Sequence, residues 1–437
     1  MSNMHKIKNF EVLAFSPERE DGLAILEAGL DAIDTRKIIR KKVHVEEDIL
    51  FAGGTTYNLK EKKRVFLIGV GKCSIRAAEE LEAILGERLE GGFILDVEIP
   101  EGCSLKRVQY AQGTHPLPSL ENVDAVLKMV DILKDLNEDD LVLVIISGGG
   151  STLLCLPEDR NRCLEEAQIV KTLIEAGADI KELNTVRKHL SLARGGYLAK
   201  YAYPAEVLAL IFSDIPGDDL SYVASGPTMM DQSRVEDASE VLARYDVLSK
   251  CDFDDYGLVE TPKEEKYFKN IKNIIVVSNR DALLAMKEES EKRGYVTKIE
   301  TASLTGDVES VGERIYADAI SSKEDVLLYG GETTVHVDGF GRGGRNRHLA
   351  LVVLDNIKDH DLFISLASDG WDNGKHAGAI ADRITLDKAK EKGLDISDYR
   401  RRDDSETFFE KTGNYIVTGR TGSNVSDLMI FLKSNER

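Results

Sequence analysis

At 437 residues the chain exceeds what one hydrophobic core usually organises, which predicts two domains and excludes a peptide-sized binding module. With 42% hydrophobic and 31% charged residues, 36 glycines and 9 prolines, its composition is globular and excludes a disordered or collagen-like chain. Fifty-seven basic against 77 acidic side chains leave a net charge of −20, which argues against nucleic acid or an anionic membrane as partner and leaves a small anionic substrate open.

The first ten residues carry Lys6 and Lys8 but no apolar core of a signal peptide. No stretch approaches the roughly 18 apolar residues of a membrane span. The five cysteines, Cys73, Cys103, Cys155, Cys163 and Cys251, are odd in number and include no Cys-x-x-Cys pair, so neither a disulfide framework nor a zinc knuckle is indicated. Together these features read as a cytoplasmic protein in a reducing compartment.

Strand-like apolar runs recur at residues 65–70, 93–97, 141–146, 207–212, 274–277, 326–329, 362–366 and 415–417. The run 141–146 has no in/out alternation, which suits a strand covered on both faces and hence a largely parallel α/β sheet. Residues 75–85, 122–134 and 164–175 have amphipathic spacing and read as covering helices. The apolar signal thins at residues 250–272, which predicts domains over 1–248 and 249–437. The charged stretch 395–405, with Arg400, Arg401 and Arg402, reads as a solvated turn.

Gly69-Val70-Gly71-Lys72-Cys73-Ser74 follows a strand and opens a helix, and reads equally as a tight turn or as an anion site with Lys72 as a mobile cation. It is not a Walker A loop: the required upstream glycine is Phe66, and Cys73 stands where a hydroxyl residue should follow the lysine. Ser147-Gly148-Gly149-Gly150-Ser151 ends the most apolar strand, where consecutive N–H groups suit phosphate. Asn184, Arg187, Lys188 and Ser191 can share one helix face, lining a ligand or simply facing solvent. Ser213 and Asp214 lead into a loop that continues to Ser225-Gly226-Pro227-Thr228. Asp214 there reads as a metal or hydroxyl ligand, or as an Asx turn.

Four Gly-rich polar segments follow: 330–334, 341–347, 368–374 and 418–424. They contribute Gly331, Glu332, Thr333, Arg345, Asn346, Asp369 and Asn424, and together they suggest a cleft.

Taken in order, Gly71-Lys72, Ser147–Ser151, 183–191, 213–218, 225–228, 331–333, Gly344-Arg345-Asn346, Asp369-Gly370 and 421–424 resemble the glycerate 2-kinase family with its C-terminal MOFRL domain. The family regions fall at about residues 10–247 and 325–432. The resemblance implies a Rossmann-like N-terminal domain with a largely parallel sheet flanked by helices, a C-terminal α/β domain, and an active site in the interdomain cleft. It implies ATP-dependent phosphorylation of the 2-hydroxyl of D-glycerate to 2-phosphoglycerate, with Mg2+ as the metal. Lys72 and Arg345 would be catalytic. Gly71, Ser147, Gly148, Gly149, Gly150, Ser151, Asn184, Arg187, Lys188, Ser213, Asp214, Gly226, Gly331, Glu332, Thr333, Asn346 and Asn424 would bind nucleotide or substrate. Asp214, Glu332 and Asp369 are the metal candidates, with Asp214 also the candidate base.

The segment 369–379 departs from the family pattern through Asn373, Lys375 and His376, which opens the reading of a related sugar acid as acceptor. A nicotinamide-dependent hydroxypyruvate reductase is the rival enzyme, suggested by Gly69-x-Gly71 and by Asp96 at the end of the next strand. A non-catalytic nucleotide sensor is the third reading.

Overall fold

The computed structural model describes residues 5–215 and 217–433, so Pro216 lies outside the described residues. Two units emerge, and neither is continuous in sequence. One comprises Thr35–Ser213 and Asp219–Val276; the other takes residues up to Asp34, Asp214–Asp218 and the chain from Val277 onward. This division differs from a boundary at residues 248 and 249, for a physical reason at each end. The strand Ile271–Val277 joins the first unit's sheet as its sixth strand. The helix Pro17–Ala32 belongs with the second unit because Gly29 gives it close approach to the helix Asn279–Lys292: a Cβ at Gly29 would stand 2.7 Å from Met286 Cγ.

The first unit is built on β1 (Val65–Val70), β2 (Leu89–Asp96), β3 (Val108–Gln112), β4 (Leu141–Ile146), β5 (Glu206–Phe212) and β6 (Ile271–Val277). Their order is β3-β2-β1-β4-β5-β6, and the pairs from β3 to β5 are all parallel. Every residue of β4 is buried, as expected of a strand sandwiched between helices. Val108 is the buried residue of β3, so this edge strand carries no apolar run to betray it. A three-stranded antiparallel meander, Val43–Glu46, Ile49–Ala52 and Thr55–Asn58, precedes the sheet, and its second turn is Gly53-Gly54, both at positive φ.

The second unit's sheet contains β7 (Thr297–Asp307), β8 (Val326–Thr334), β9 (Leu362–Ala367), β10 (Gly378–Asp382), β11 (Tyr415–Ile416) and β12 (Asp427–Leu432), in the order β7-β8-β12-β9-β10-β11. Only β7 and β8 pair in parallel; the remaining pairs are antiparallel. The segment 330–334, expected as a loop, lies inside β8. Its two glycines are there for packing: a Cβ at Gly331 would fall on the backbone of Leu304, and one at Gly330 on the side chain of Asn279. Phe363 of β9 and Phe431 of β12 meet at 6.2 Å between ring centres in the core beneath the helix Arg345–Leu354. Among the described residues no helix is long and apolar enough to cross a membrane.

One buried ion pair pins the N-terminal segment to this unit. Arg19 is fully buried, and its Nε and Nη2 donate to the two oxygens of Asp382 at 2.6 and 2.8 Å while Nη1 donates to Asn414 Oδ1 at 3.0 Å. Removing one partner leaves an uncompensated charge in the interior. The variant Asp382→Ala is therefore expected to lose about 3–5 kcal/mol of unfolding free energy, measured as a fall in the denaturant midpoint. A loss below about 1 kcal/mol would place the pair among the weak surface bridges instead.

Candidate active site

In the first unit the turns after β1 and β4 are in contact through their backbones. Gly71 has φ +109° and a Cβ there would stand 2.6 Å from Ser147 Oγ and fall on the Ser147 carbonyl, so position 71 admits only glycine. Lys72 N donates to Gly148 O at 2.8 Å, and Ser147 Oγ donates to Lys72 O in return. Cys73 is held left-handed at φ +70°, an unusual conformation for a residue with a Cβ and one that recurs at functional turns. Ser147 is thus a latch that sets the position of Lys72.

Gly150 N is used within the turn, on Ser147 O at 3.2 Å, whereas the N–H groups of Gly148 and Gly149 have no acceptor among the described residues. Such paired amides at the carboxyl end of a parallel strand suit an anion. The side chains of Lys72 and His115 flank Gly149: a Cβ built there would meet His115 Cδ2 at 3.4 Å and Lys72 Cγ at 3.6 Å. His115 is exposed and escaped sequence reasoning, because a lone histidine before a proline carries no motif signal.

The helix Ile180–His189 opens with a capping box formed by Asp179 and Glu182. Of its polar face, Asn184 is buried, with Nδ2 on Ile180 O at 3.0 Å and Oδ1 accepting from Ser225 Oγ at 2.8 Å; Ser225 Oγ also lies 2.9 Å from Ser151 Oγ. Lys188 is buried as well and donates to Asp231 Oδ1 at 3.0 Å, which holds the Asp231 carboxyl below its usual range against the opposing effect of burial. Arg187 differs: its guanidinium has no hydrogen bond or ion pair among the described residues. Ser213 is buried with its hydroxyl unpartnered among the described residues, and Gly226 takes the left-handed turn at φ +59° that closes the neighbouring loop.

In the second unit Arg345 begins the helix Arg345–Leu354. Its Nε and Nη2 donate to the two oxygens of fully buried Asp427 at 2.6 and 3.0 Å, and Nη1 lies 2.6 Å from Glu332 Oε1. Burial pushes the Asp427 carboxyl up to about 6 despite the guanidinium beside it. The N-terminus of the same helix is capped from a distance by Asp372, whose two oxygens accept from Asn346 N and Arg347 N, each at 3.0 Å. Asn346 is buried, its Oδ1 accepting from Ser365 Oγ at 2.5 Å. A cavity of about 560 Å³ opens over this arrangement, lined in part by Glu332, Thr333, Arg345, Trp371, Asn373 and Glu406. Thr333 is buried, with a hydroxyl that lacks a partner among the described residues.

The predicted metal candidates fall at separate places in this unit. Asp214 Oδ2 accepts from Asn424 Nδ2 at 2.9 Å, and Ser426 Oγ donates to Asp214 O. Asp369 Oδ1 accepts from Trp371 N at 2.9 Å, while Glu332 is taken by Arg345. Among the described residues the one group of three metal-ligating side chains with ligand atoms within 4.8 Å of one another is His376, Glu406 and Glu410, so Asp214, Glu332 and Asp369 do not form such a group. The His376 group is an ion-pair network, with Arg347 Nη1 at 3.3 Å from Glu406 and Lys375 at 3.4 Å from Glu410.

The sequence assigned ligand roles to Ser147, Asn184, Lys188 and Asn346, which make hydrogen bonds within the fold, and to the Gly148 and Gly149 amides and Arg187, which make none among the described residues. It missed Asp427 and the capping role of Asp372. Asp427 had one available signal: it is the lone acid opening the apolar run 428–432.

The family model described as "Domain of unknown function (DUF4147)" matches residues 21–253, and the one described as the MOFRL family matches residues 325–427. A glycerate 2-kinase of Pyrococcus horikoshii is 33% identical over 440 residues, covering 96% of this chain and 98% of that protein. A D-glycerate 2-kinase of Thermotoga maritima is 34% identical over 381 residues, covering 84% and 90%. A crystal structure of a glycerate kinase from Thermotoga maritima superposes with a TM-score of 0.78 at 31% identity, covering 94% of this chain and 98% of that one.

Asp96, at the end of β2, accepts from Ile75 N at 3.0 Å and Val97 N at 2.7 Å. Burial outweighs these donors and pushes its pKa up from 3.8 to about 7. The folded chain then keeps a proton that the unfolded chain releases, so this group's contribution to stability declines as pH rises from about 4 to 7. Asp96→Asn cannot titrate. Its thermal midpoint is expected to gain on that of the native chain between about pH 4 and pH 7 and to level off above that, and a difference that stays constant between pH 4 and pH 7 would reject the assignment.

Proposed function

We propose, from the premise that this chain belongs to the glycerate 2-kinase family with its DUF4147 and MOFRL domains, that it transfers the terminal phosphoryl group of ATP to the 2-hydroxyl of D-glycerate, giving ADP and 2-phosphoglycerate. The observation that carries this reading is the turn pair of the first unit, where the open amides of Gly148 and Gly149 lie beside the Lys72 side chain. Phosphoryl transfer passes through a loose transition state with charge spread over the equatorial oxygens, so fixed donors and cations supply most of the acceleration. Lys72 is assigned that role on the backbone-latched turn, and Arg345 on the carboxylate-held helix start.

Mg2+ neutralises phosphate charge in this chemistry and takes hard carboxylate oxygens. Asp214 and Asp369 fit that demand. Glu332 is given instead to Arg345, whose guanidinium it already meets. Because a loose transition state needs little deprotonation before attack, Asp214 would orient the acceptor hydroxyl more than ionise it. Of the departures at residues 373–376, His376 is buried and stacks on Tyr415 at 4.1 Å, whereas Lys375 pairs with Glu410 at the surface and Asn373 donates to Gly343 O at 2.7 Å on the cavity wall. The reductase reading loses its acidic ribose ligand, since both oxygens of buried Asp96 are engaged by backbone amides. Free thiols at all five cysteines suit the cytoplasmic location proposed for the reaction.

Purified protein supplied with ATP, Mg2+ and D-glycerate should release ADP and form the 2-phosphate. Lys72→Ala and Arg345→Lys are each expected to lower turnover about 100- to 1000-fold, Lys72→Ala with a melting curve close to native and Arg345→Lys with a lowered one. Lysine at 345 keeps a positive charge beside Asp427, so the loss would report the missing fork. Wild-type protein that makes no phosphorylated acid, or near-native turnover in both variants, would refute the reading.

A further inference from the structure

Three charged groups gather in the first unit with one positive charge left over. Arg194 is fully buried; its Nη2 donates to Glu166 Oε1 at 2.5 Å and its Nη1 donates to Arg187 O at 2.8 Å. Glu166 is buried too, and its second oxygen accepts from Cys155 Sγ at 3.3 Å. Arg187 feels the charges of both Arg194 and Glu166, yet its own guanidinium has no hydrogen bond or ion pair among the described residues. One carboxylate, paired with Arg194, therefore faces the charges of two guanidinium ions. Burial first, and then the neighbouring Arg194, push the Arg187 pKa down to about 10, so the side chain stays charged at neutral pH while the fold opposes that charge.

Arg187 is half-buried, and a partly desolvated cation without a partner carries an electrostatic penalty that an anionic ligand relieves on binding. The position of Arg187 says where. It lies three residues beyond Asn184 on one helix face, and Asn184 is linked through Ser225 to Ser151 at the end of the triple-glycine turn.

We propose that Arg187 is the receptor for the acceptor's carboxylate, pairing its planar fork with the acid group and thereby selecting hydroxy acids over neutral polyols. The inference rests on the glycerate kinase reading and goes beyond it by naming the residue that recognises the acid. A carboxylate matches the surplus of one charge in the Arg187, Arg194 and Glu166 group, and its two oxygens match the fork bidentately. A nucleotide triphosphate carries several charges and already has the Gly148 and Gly149 amides and Lys72 proposed for it.

The test compares wild type, Arg187→Gln and Arg187→Lys with D-glycerate and with glycerol, which keeps the hydroxyls and lacks the acid. Arg187→Gln is expected to raise the KM for D-glycerate about 10- to 100-fold, to leave the KM for ATP within about threefold, and to shrink the preference for glycerate over glycerol by the same factor; Arg187→Lys should recover part of it. An unchanged glycerate KM, or an equal rise in the KM for ATP, overturns the proposal, the latter in favour of a phosphate contact. Calorimetric titration of D-glycerate without nucleotide separates this from the kinase reading. Should wild type bind glycerate but not phosphorylate it, the kinase reading fails, and loss of binding in Arg187→Gln still supports the receptor while equal binding refutes it. No binding by a wild type that also fails to phosphorylate glycerate refutes both, whereas in a wild type that turns glycerate over the KM comparison decides.

Discussion

The contact between Gly71 and Ser147 is the constraint on which the arrangement of the first unit depends. Two strand-end turns lie so close that a side chain on position 71 has no room, and the space is closed by reciprocal bonds between Lys72 and the Ser147–Gly148 backbone. Those bonds spend the Ser147 hydroxyl and the Lys72 amide on geometry. What they leave available is a pair of amides with a lysine side chain beside them. An anion site built this way would have little to reorganise on binding, because its donors are fixed by main-chain bonds between parallel strands.

Carboxylates do in the second unit what main chain does in the first. Asp372 saturates the helix N-terminus beside Arg345, and Asp427 grips two nitrogens of the arginine from a fully buried position. An acid so desolvated that its pKa rises to about 6 even beside a guanidinium would relax if it moved toward water, so it stays in place because the arginine and the sheet hold it there. The fork is thereby committed on one edge. Its remaining nitrogen, Nη1, meets the more exposed Glu332 on the wall of the cavity.

These two devices account for what was legible in the sequence. The strands announced themselves where burial on both faces leaves a continuous apolar run, as at 141–146, and stayed silent where one residue carries the burial, as at Val108. Glycine signals were read as loops, which holds for Gly71 and Gly149 but fails for Gly330 and Gly331, where the missing side chains make room for Asn279 and the backbone of Leu304. Polar residues clustered near glycines were read as ligands. Ser147, Asn184, Lys188 and Asn346 each meet a partner distant in sequence, as buried polar groups must. Linear spacing cannot separate the two uses, because the distinguishing fact is whether a distant partner such as Asp231 or Ser365 arrives.

Net charge bears on this in a way that composition alone conceals. At −20 the chain as a whole repels ATP and glycerate, yet at physiological ionic strength charges beyond about 8 Å are largely screened, so recognition is decided within the first few contacts. Arg187, Arg194 and Glu166 sum to +1 there, which attracts an acid. Arg345 with Glu332 and Asp427 sums to −1 once Asp427 is ionised, which attracts an anion only when a cation travels with it. A kinase that took up metal-bound phosphates and a bare carboxylate, as proposed above, would need local fields of both signs, and a uniformly basic surface would supply only one of them.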